Sequence, residues 1–245
     1  MIASLISVNS GLTSIDLSGN QLCGVWTKYG QQHGTYTAEG IAAIAEALRV
    51  NGALTSVKLG GNELWNEGWG AIFAAICGNK DSKILSLDAS GEDISLAGVQ
   101  QIAKALRTSV TGSLTSIKLR GNKLGGEGWG AIFAAICGNK DSKIMSMDAS
   151  SESIGPAGVK LIAEVLRTSV TGLLTVTNLL QNELDARSAK MLSEVAKQKG
   201  ISLCGIQRDQ TTADFSQQGL NPPDAILLAS DLSQAGVTGS LTKLE

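Results

Sequence analysis

Residues 53–112 and 113–172 agree at 44 of 60 positions, and "EGWGAIFAAICGNKDSKI" stands unchanged at 67–84 and 127–144. Agreement at that level means one duplicated unit rather than convergence. The fold must therefore accept a tandem copy of itself, which is the mark of a stacked repeat architecture. Each copy divides again. "LTSVKLGGNEL" starts at Leu54, "ILSLDASGEDI" at Ile84, "LTSIKLRGNKL" at Leu114 and "IMSMDASSESI" at Ile144. "LTSIDLSGNQL" at Leu12 and "LTVTNLLQNEL" at Leu174 extend the series, and from Leu54 to Leu174 the period is 30.

Within a period, a strand-length stretch is followed by turn residues and then by a helical stripe. Trp69, Ile72, Phe73 and Ile76 fall at i, i+3, i+4 and i+7, one face of a helix. The next period puts Val99, Ile102, Ala103 and Leu106 on the same pattern. The copy repeats both, as Trp129, Ile132, Phe133, Ile136 and Val159, Ile162, Ala163, Leu166. Bulky and small helices thus alternate, and the strand position that is Leu59 or Leu119 beside one becomes Ala89 or Ala149 beside the other. Complementary volumes keep packing dense, so the tryptophans of the duplicated stretch read as core and not as an aromatic binding box. One strand–helix unit cannot bury its apolar face alone; units stack into a right-handed α/β solenoid.

The spacing resembles the leucine-rich repeat, L-x-x-L-x-L-x-x-N-x-L, in its ribonuclease-inhibitor-like class. The resemblance implies a curved horseshoe with a parallel sheet on the concave face and helices on the convex face. It covers nearly the whole chain: one array over 1–245, regular across 12–200, irregular over 201–245, and expected to be an excerpt of a longer array. The motif asparagines Asn20, Asn62, Asn122 and Asn182 are expected to bond backbone groups of neighbouring turns. Glu92 and Glu152 replace them in alternate repeats, and an ionised carboxylate accepts without donating, so a weaker ladder is predicted there. Ran GTPase-activating proteins share this repeat class, but the loop residues their activity rests on have no match here, so no activity is carried over.

Two regions break the period. Between Leu22 and Gly40 about 12 residues are inserted, carrying Trp26, Tyr29 and Tyr36; Trp65 occupies the corresponding loop of the next repeat, where the copy has Gly125. Toward the C-terminus, register places the repeat strand at Thr212–Ser216 and leaves 201–206 as an extra strand, in an antiparallel pairing or an excursion. Pro222-Pro223 is predicted to open a helix, and Gly78 and Gly138 to cap two others.

Catalytic chemistry is hard to assemble from this chain. Its single histidine, His33, lies in the insert, so zinc clusters and Ser–His–Asp arrangements have no support. No phosphate-loop pattern occurs, and no cofactor or metal is expected. A formal net charge of −2 gives no footprint for nucleic acid. No apolar run is long enough for membrane insertion. Four scattered cysteines, Cys23, Cys77, Cys137 and Cys204, read as buried thiols of an intracellular protein.

The outward strand positions form two columns. One reads Ser14, Ser56, Ser86, Ser116, Ser146, Val176 and Thr212; the other Asp16, Lys58, Asp88, Lys118, Asp148, Asn178 and Asp214. Each lysine is expected to sit between two aspartates. Such a face is small and self-neutralised, with Val176, Arg120 and Leu180 its only departures. Candidate partner-binding residues are therefore Trp26, Tyr29, Tyr36 and Trp65, on loops of one edge, with Arg120 and Leu180. The competing reading folds the insert over Trp65 as a satellite core. The function expected is a non-enzymatic scaffold for protein partners. The alternative is a structural accessory subunit of a large multiprotein assembly, its uncapped ends contacting a neighbouring subunit.

Overall fold

The computed structural model describes residues 2–110, 112–170 and 173–245. Along the chain run α1 (Ile2–Val8), β1 (Ser14–Asp16), β2 (Val25–Lys28), β3 (Gln31–Gly34), α2 (Glu39–Val50), β4 (Ser56–Lys58), α3 (Trp65–Gly78) and β5 (Ser86–Asp88). They continue as α4 (Leu96–Arg107), β6 (Ser116–Lys118), α5 (Gly125–Cys137), β7 (Ser146–Asp148), α6 (Pro156–Thr168), β8 (Val176–Asn178) and α7 (Ala186–Lys199). The last elements are β9 (Thr212–Ala213), α8 (Pro222–Leu232), α9 (Ala235–Thr238) and β10 (Lys243–Leu244). Strand and helix alternate, each helix from α1 to α8 packs on the next, and β5, β6, β7 and β8 form one parallel sheet in chain order. The expected 12–200 array runs through residues 111, 171 and 172, which lie outside the described residues.

The stripe residues form the core. Trp69, Phe73, Trp129 and Phe133 are almost wholly inaccessible, and Val99, Ile102, Leu106 and their copies pack between them. The indole of each bulky helix lies tilted against the phenyl one turn on, at 6.4 Å for Trp69–Phe73 and 6.3 Å for Trp129–Phe133. Gly126 and Gly158 are what let α5 and α6 approach: a Cβ on Gly158 would meet the Gly126 Cα at 2.3 Å.

The helix ends are closed differently from the expectation. Gly78 is the last residue of α3 and Gly138 follows α5 with φ −86°, so neither adopts the left-handed cap that favours glycine. Asparagine side chains satisfy the free carbonyls instead. Asn79 Nδ2 donates to Leu48 O (2.9 Å) and Asn51 O (2.8 Å); Asn139 Nδ2 donates to Leu106 O (2.9 Å) and Ser109 O (3.2 Å). A side-chain amide that reaches the previous repeat both caps and staples, which a glycine cannot do.

At the strand ends three of the four asparagine rungs work as expected, while Asn20 donates only within its own turn, to Leu17 O and Ser18 O. Asn62, Asn122 and Asn182 each donate to a carbonyl of their own strand and to one of the strand before: Leu59 O and Leu17 O, Leu119 O and Ala89 O, Leu179 O and Ala149 O. Their Oδ1 atoms accept from the preceding turn, Asn122 from Glu92 N and Ile94 N, Asn182 from Glu152 N and Ile154 N. The glutamate rungs differ: at Glu92 the ladder is weaker, as the sequence suggested, and among the described residues β4 is not paired with β5, whereas at Glu152 it is intact. Glu152 accepts from Gly121 N, Asn122 N and Leu124 N, and Glu92 from Gly61 N. The donors a carboxylate lacks come from the following asparagine, whose second N–H serves Ala89 O or Ala149 O.

Two other expectations are corrected. Lys58 pairs with Asp16 (3.5 Å) and Lys118 with Asp88 (3.4 Å); among the described residues neither lysine also reaches the aspartate after it. The pairs form only at joints that lead into an asparagine repeat. There the ladder runs on past the strands, as in Leu17 N to Lys58 O and Ala89 N to Lys118 O. The 201–206 segment is neither a plain antiparallel strand nor an excursion: it takes the place beside β8 that the register assigned to Thr212–Ser216. It closes on β8 through a parallel bridge, Val176 to Ser202, and an antiparallel one, Asn178 to Cys204. Asp231 of α8 fastens it, accepting from Ser202 Oγ (2.7 Å), Leu203 N (2.9 Å) and Cys204 N (2.9 Å). Burial pushes the Asp231 carboxyl up, against the pull of those three donors. Thr212 pairs in parallel with Lys243, in the 31-residue register the sequence predicts, and Asn221 with Asp224 forms a capping box ahead of Pro222.

Candidate interaction surface

The insert folds as a hairpin. β2 and β3 are antiparallel with Trp26 opposite His33 and Lys28 opposite Gln31. Tyr29 and Gly30 make the two-residue loop, with φ of 53° and 74°. Positive φ at both positions is the type I′ turn, whose twist matches that of the strands it joins. Gly34, at φ 85°, is required by close approach: a Cβ there would stand 2.1 Å from Gly24 O and 2.8 Å from the Trp26 ring.

Beyond Val25, which is buried, the hairpin projects into solvent. Tyr29 at the tip is 94 % exposed, with the Lys28 ammonium 5.3 Å from its ring centroid. Trp26 is 38 % exposed and lies nearly parallel to His33, ring centroids 5.8 Å apart. His33 is thus a strand residue stacked on an aromatic ring and not a loop residue.

The other two aromatics do something different. Tyr36 stacks on Trp65 at 4.9 Å, and its hydroxyl donates to Leu64 O (3.2 Å). Both rings are half-buried against the repeat core. Burial, with the Cys23 thiol and Glu67 nearby, pushes the Tyr36 hydroxyl up to about 12, so it stays a neutral donor. Trp65 holds φ 50° where the copy has Gly125 at 63°. A tryptophan in that conformation is strained, and the stack is what it gains in return. Trp65 Nε1 donates to Glu63 Oε2 (3.2 Å), and Glu63 Oε1 accepts from Thr27 Oγ1 of β2 (3.0 Å). The chain Thr27–Glu63–Trp65–Tyr36 therefore ties the hairpin to the second repeat.

The four aromatic candidates thus split into two pairs: Tyr36 and Trp65 as a satellite core, Trp26 and Tyr29 outward on the hairpin. Arg120 is exposed beyond β6, in a different repeat. Leu180 is not on the surface. It is 2 % exposed, and Val176 is buried with it, because the 201–206 segment lies along β8. Lys28, His33, Thr27 and Glu63 were missed. The register of the hairpin is the signal that would have found the first two, since "KYGQ" places a glycine where a two-residue turn needs one.

Among the described residues no group of three or more His, Cys, Asp or Glu side chains is arranged to hold a metal. No helix among the described residues is long and apolar enough to cross a membrane. All four cysteines are buried; burial raises the Cys77 thiol to about 11 and, with Asp231 beside it, carries Cys204 well above its usual range.

No family model matches the chain, and no curated protein does. Solved structures with a similar trace include one titled "Leiomodin-1 Actin-Binding Site 2 (ABS2)". It is 15 % identical with a TM-score of 0.44, covering 80 % of this chain and 86 % of that one. A tropomodulin C-terminal domain from Caenorhabditis elegans is 12 % identical with a TM-score of 0.46, covering 80 % and 90 %. Likeness at this level carries no argument about function.

Proposed function

We propose that the chain is a non-enzymatic protein-interaction scaffold of the leucine-rich-repeat type, and that a protein partner docks on the tip of the β2–β3 hairpin. Tyr29 carries the reading. The first position of a type I′ turn suits Asn, Asp or Gly, and a tyrosine there bears a backbone cost of roughly 1–2 kcal/mol. At 94 % exposure its ring recovers little from packing. Strain held beneath an exposed aromatic is an outlier from which function is argued. Tyr and Trp are the anchors interfaces favour, and Trp26 lies on the same ribbon. The Thr27–Glu63–Trp65–Tyr36 tie fixes the ribbon beforehand, which lowers the ordering cost of binding. Arg120 is a secondary contact in this reading.

The finer architecture that goes with it is a single array over 1–245, curved as a ribonuclease-inhibitor-like horseshoe with the strands inside, which small-angle scattering can check. Four buried thiols suit an intracellular compartment. The test is a pair of variants, Trp26→Ala and Tyr29→Asn, with a photo-crosslinking residue at Gln31 to trap the partner. Loss of the crosslinked partner in both, with melting temperature preserved, supports the site. Undiminished crosslinking in both variants removes it.

A further inference from the structure

The two copies of the duplicated stretch meet the next repeat in different ways. β1 pairs with β4, and β5 to β8 pair in order, but among the described residues no backbone hydrogen bond joins β4 to β5. The equivalent joint one unit on, β6 to β7, is closed: Met145 N and Ser146 N donate to Thr115 O at 2.8 and 3.1 Å. Both joints carry a glutamate rung, and each follows a tryptophan from the identical 18-residue stretch. At the open joint Glu92 Oε2 accepts from Trp69 Nε1 (3.1 Å), and only Gly61 N remains bonded to Oε1. At the closed joint Glu152 gives its oxygens to three backbone N–H groups, and Trp129 Nε1 is buried without a partner.

Either the carboxylate satisfies the buried indole and the strands part, or it satisfies the turn and the indole is stranded. An unpaired buried N–H and missing strand bonds are both unfavourable, and each arrangement carries one of the two. The helix side does not change with them. α3 packs on α4 and α5 on α6, and Val110 N and Val170 N donate to Cys77 O (2.9 Å) and Cys137 O (3.0 Å). At the open joint Asn66 and Ser95 add a reciprocal pair, Nδ2 to Oγ at 2.9 Å and N to Oδ1 at 2.8 Å. A unit bonded on one side and free on the other turns about its bonded side.

We propose that the joint after each duplicated stretch is a two-state hinge held open by a Trp–Glu bond: the bond is made between Trp69 and Glu92, where the joint is open, and not between Trp129 and Glu152, where it is closed. The helix contact is the pivot, and opening changes the angle between the β1–β4 plate and the β5–β8 plate. A partner lying across both plates would bind one state over the other and shift the joint by that difference in affinity. The hinge does not depend on the hairpin site.

Amide exchange on the full chain tests it. Ser86 and Ser146 are equivalent positions, and Ser116, bonded to Leu85 O across the intervening joint, reports any general loosening. In the unsubstituted protein Ser86 is expected to exchange at least about tenfold faster than Ser146. Trp69→Phe removes the indole N–H, frees Glu92 for the turn, and is expected to lower the Ser86-to-Ser116 rate ratio by about the same factor. Trp129→Phe has no latch to lose and leaves the Ser146-to-Ser116 ratio as it was. Equal rates for Ser86 and Ser146 before any substitution would overturn the proposal without needing a variant to fold. A Ser86 ratio unmoved by Trp69→Phe would show a fixed gap in place of a hinge.

Discussion

At the scale of single residues, identical sequence gives equal burial and unequal bonding. Trp69 and Trp129 fill the same space between successive helices, and replacing either with alanine is expected to cost about 3–5 kcal/mol in urea unfolding. An acidic residue at the end of the array makes a different kind of contribution. Asp185 caps α7, accepting from Ser188 N at 2.7 Å. Bonding to Ser188, with Arg187 nearby, holds its carboxyl below the usual range. A carboxyl lowered in the folded state adds stability above its unfolded value of 3.8, and that stability is lost as pH falls through the folded value. Asp185→Ala should therefore melt a few degrees below the unsubstituted protein at pH 7, with the gap closing as pH falls below 3.8 and through the lowered folded value. A gap that persists in acid would mean the side chain acts through packing and not through its charge.

Among the elements, the hairpin is the one whose residues serve two ends that can be separated. Tyr29→Asn puts the favoured residue in the type I′ turn and is expected to leave the melting temperature unchanged or to raise stability by up to about 1 kcal/mol. Gly34→Ala should do the reverse: the new methyl group meets Gly24 O and the Trp26 ring, so the ribbon opens and Trp26 fluorescence shifts to the red. A blue or unchanged spectrum would mean that the strands slide to make room. The hairpin also marks how far the sequence could be read. An insert rich in aromatics stood out against a 30-residue period; Tyr36 and Trp65 pack as the satellite core that was one of its two readings, while Trp26 and Tyr29 stand in solvent. Its strands were not legible, because a four-residue ribbon in solvent has no apolar alternation to reveal it. Leu180 and Val176 were misplaced for a related reason. Local alternation turned them outward, and what buries them is a segment more than 20 residues later in the chain. The repeat strands and helices themselves were legible because each buried position recurs six or more times.

Over the whole molecule, the fold is a row of near-equal units whose cohesion is set by nearest neighbours. From Asn62 to Asn182 the fastening alternates, an asparagine rung supplying donors to two repeats and a glutamate rung to none, whereas the first joint sets Asn20 beside Asn62. Bulk alternates with it, since α3 and α5 carry the tryptophans while α4 and α6 carry valine and alanine in their stead. This regular stretch can therefore lengthen or shorten only by pairs. Cutting out residues 114–143 would set Glu152 directly after Glu92, leave Ala89 O without the amide of Asn122, and stack two slender helices over a void. Cutting out 84–113 would press two tryptophan helices together. Removing all of 54–113 keeps the alternation of rungs and helices but sets Lys123 and Gly125 where Glu63 and Trp65 hold the hairpin; it is expected to fold with that tie lost, whereas each 30-residue deletion should melt earlier than the 60-residue one. The inheritance of such a protein would then be counted in doublets, and relatives that differ from it in length should differ by even numbers of repeats.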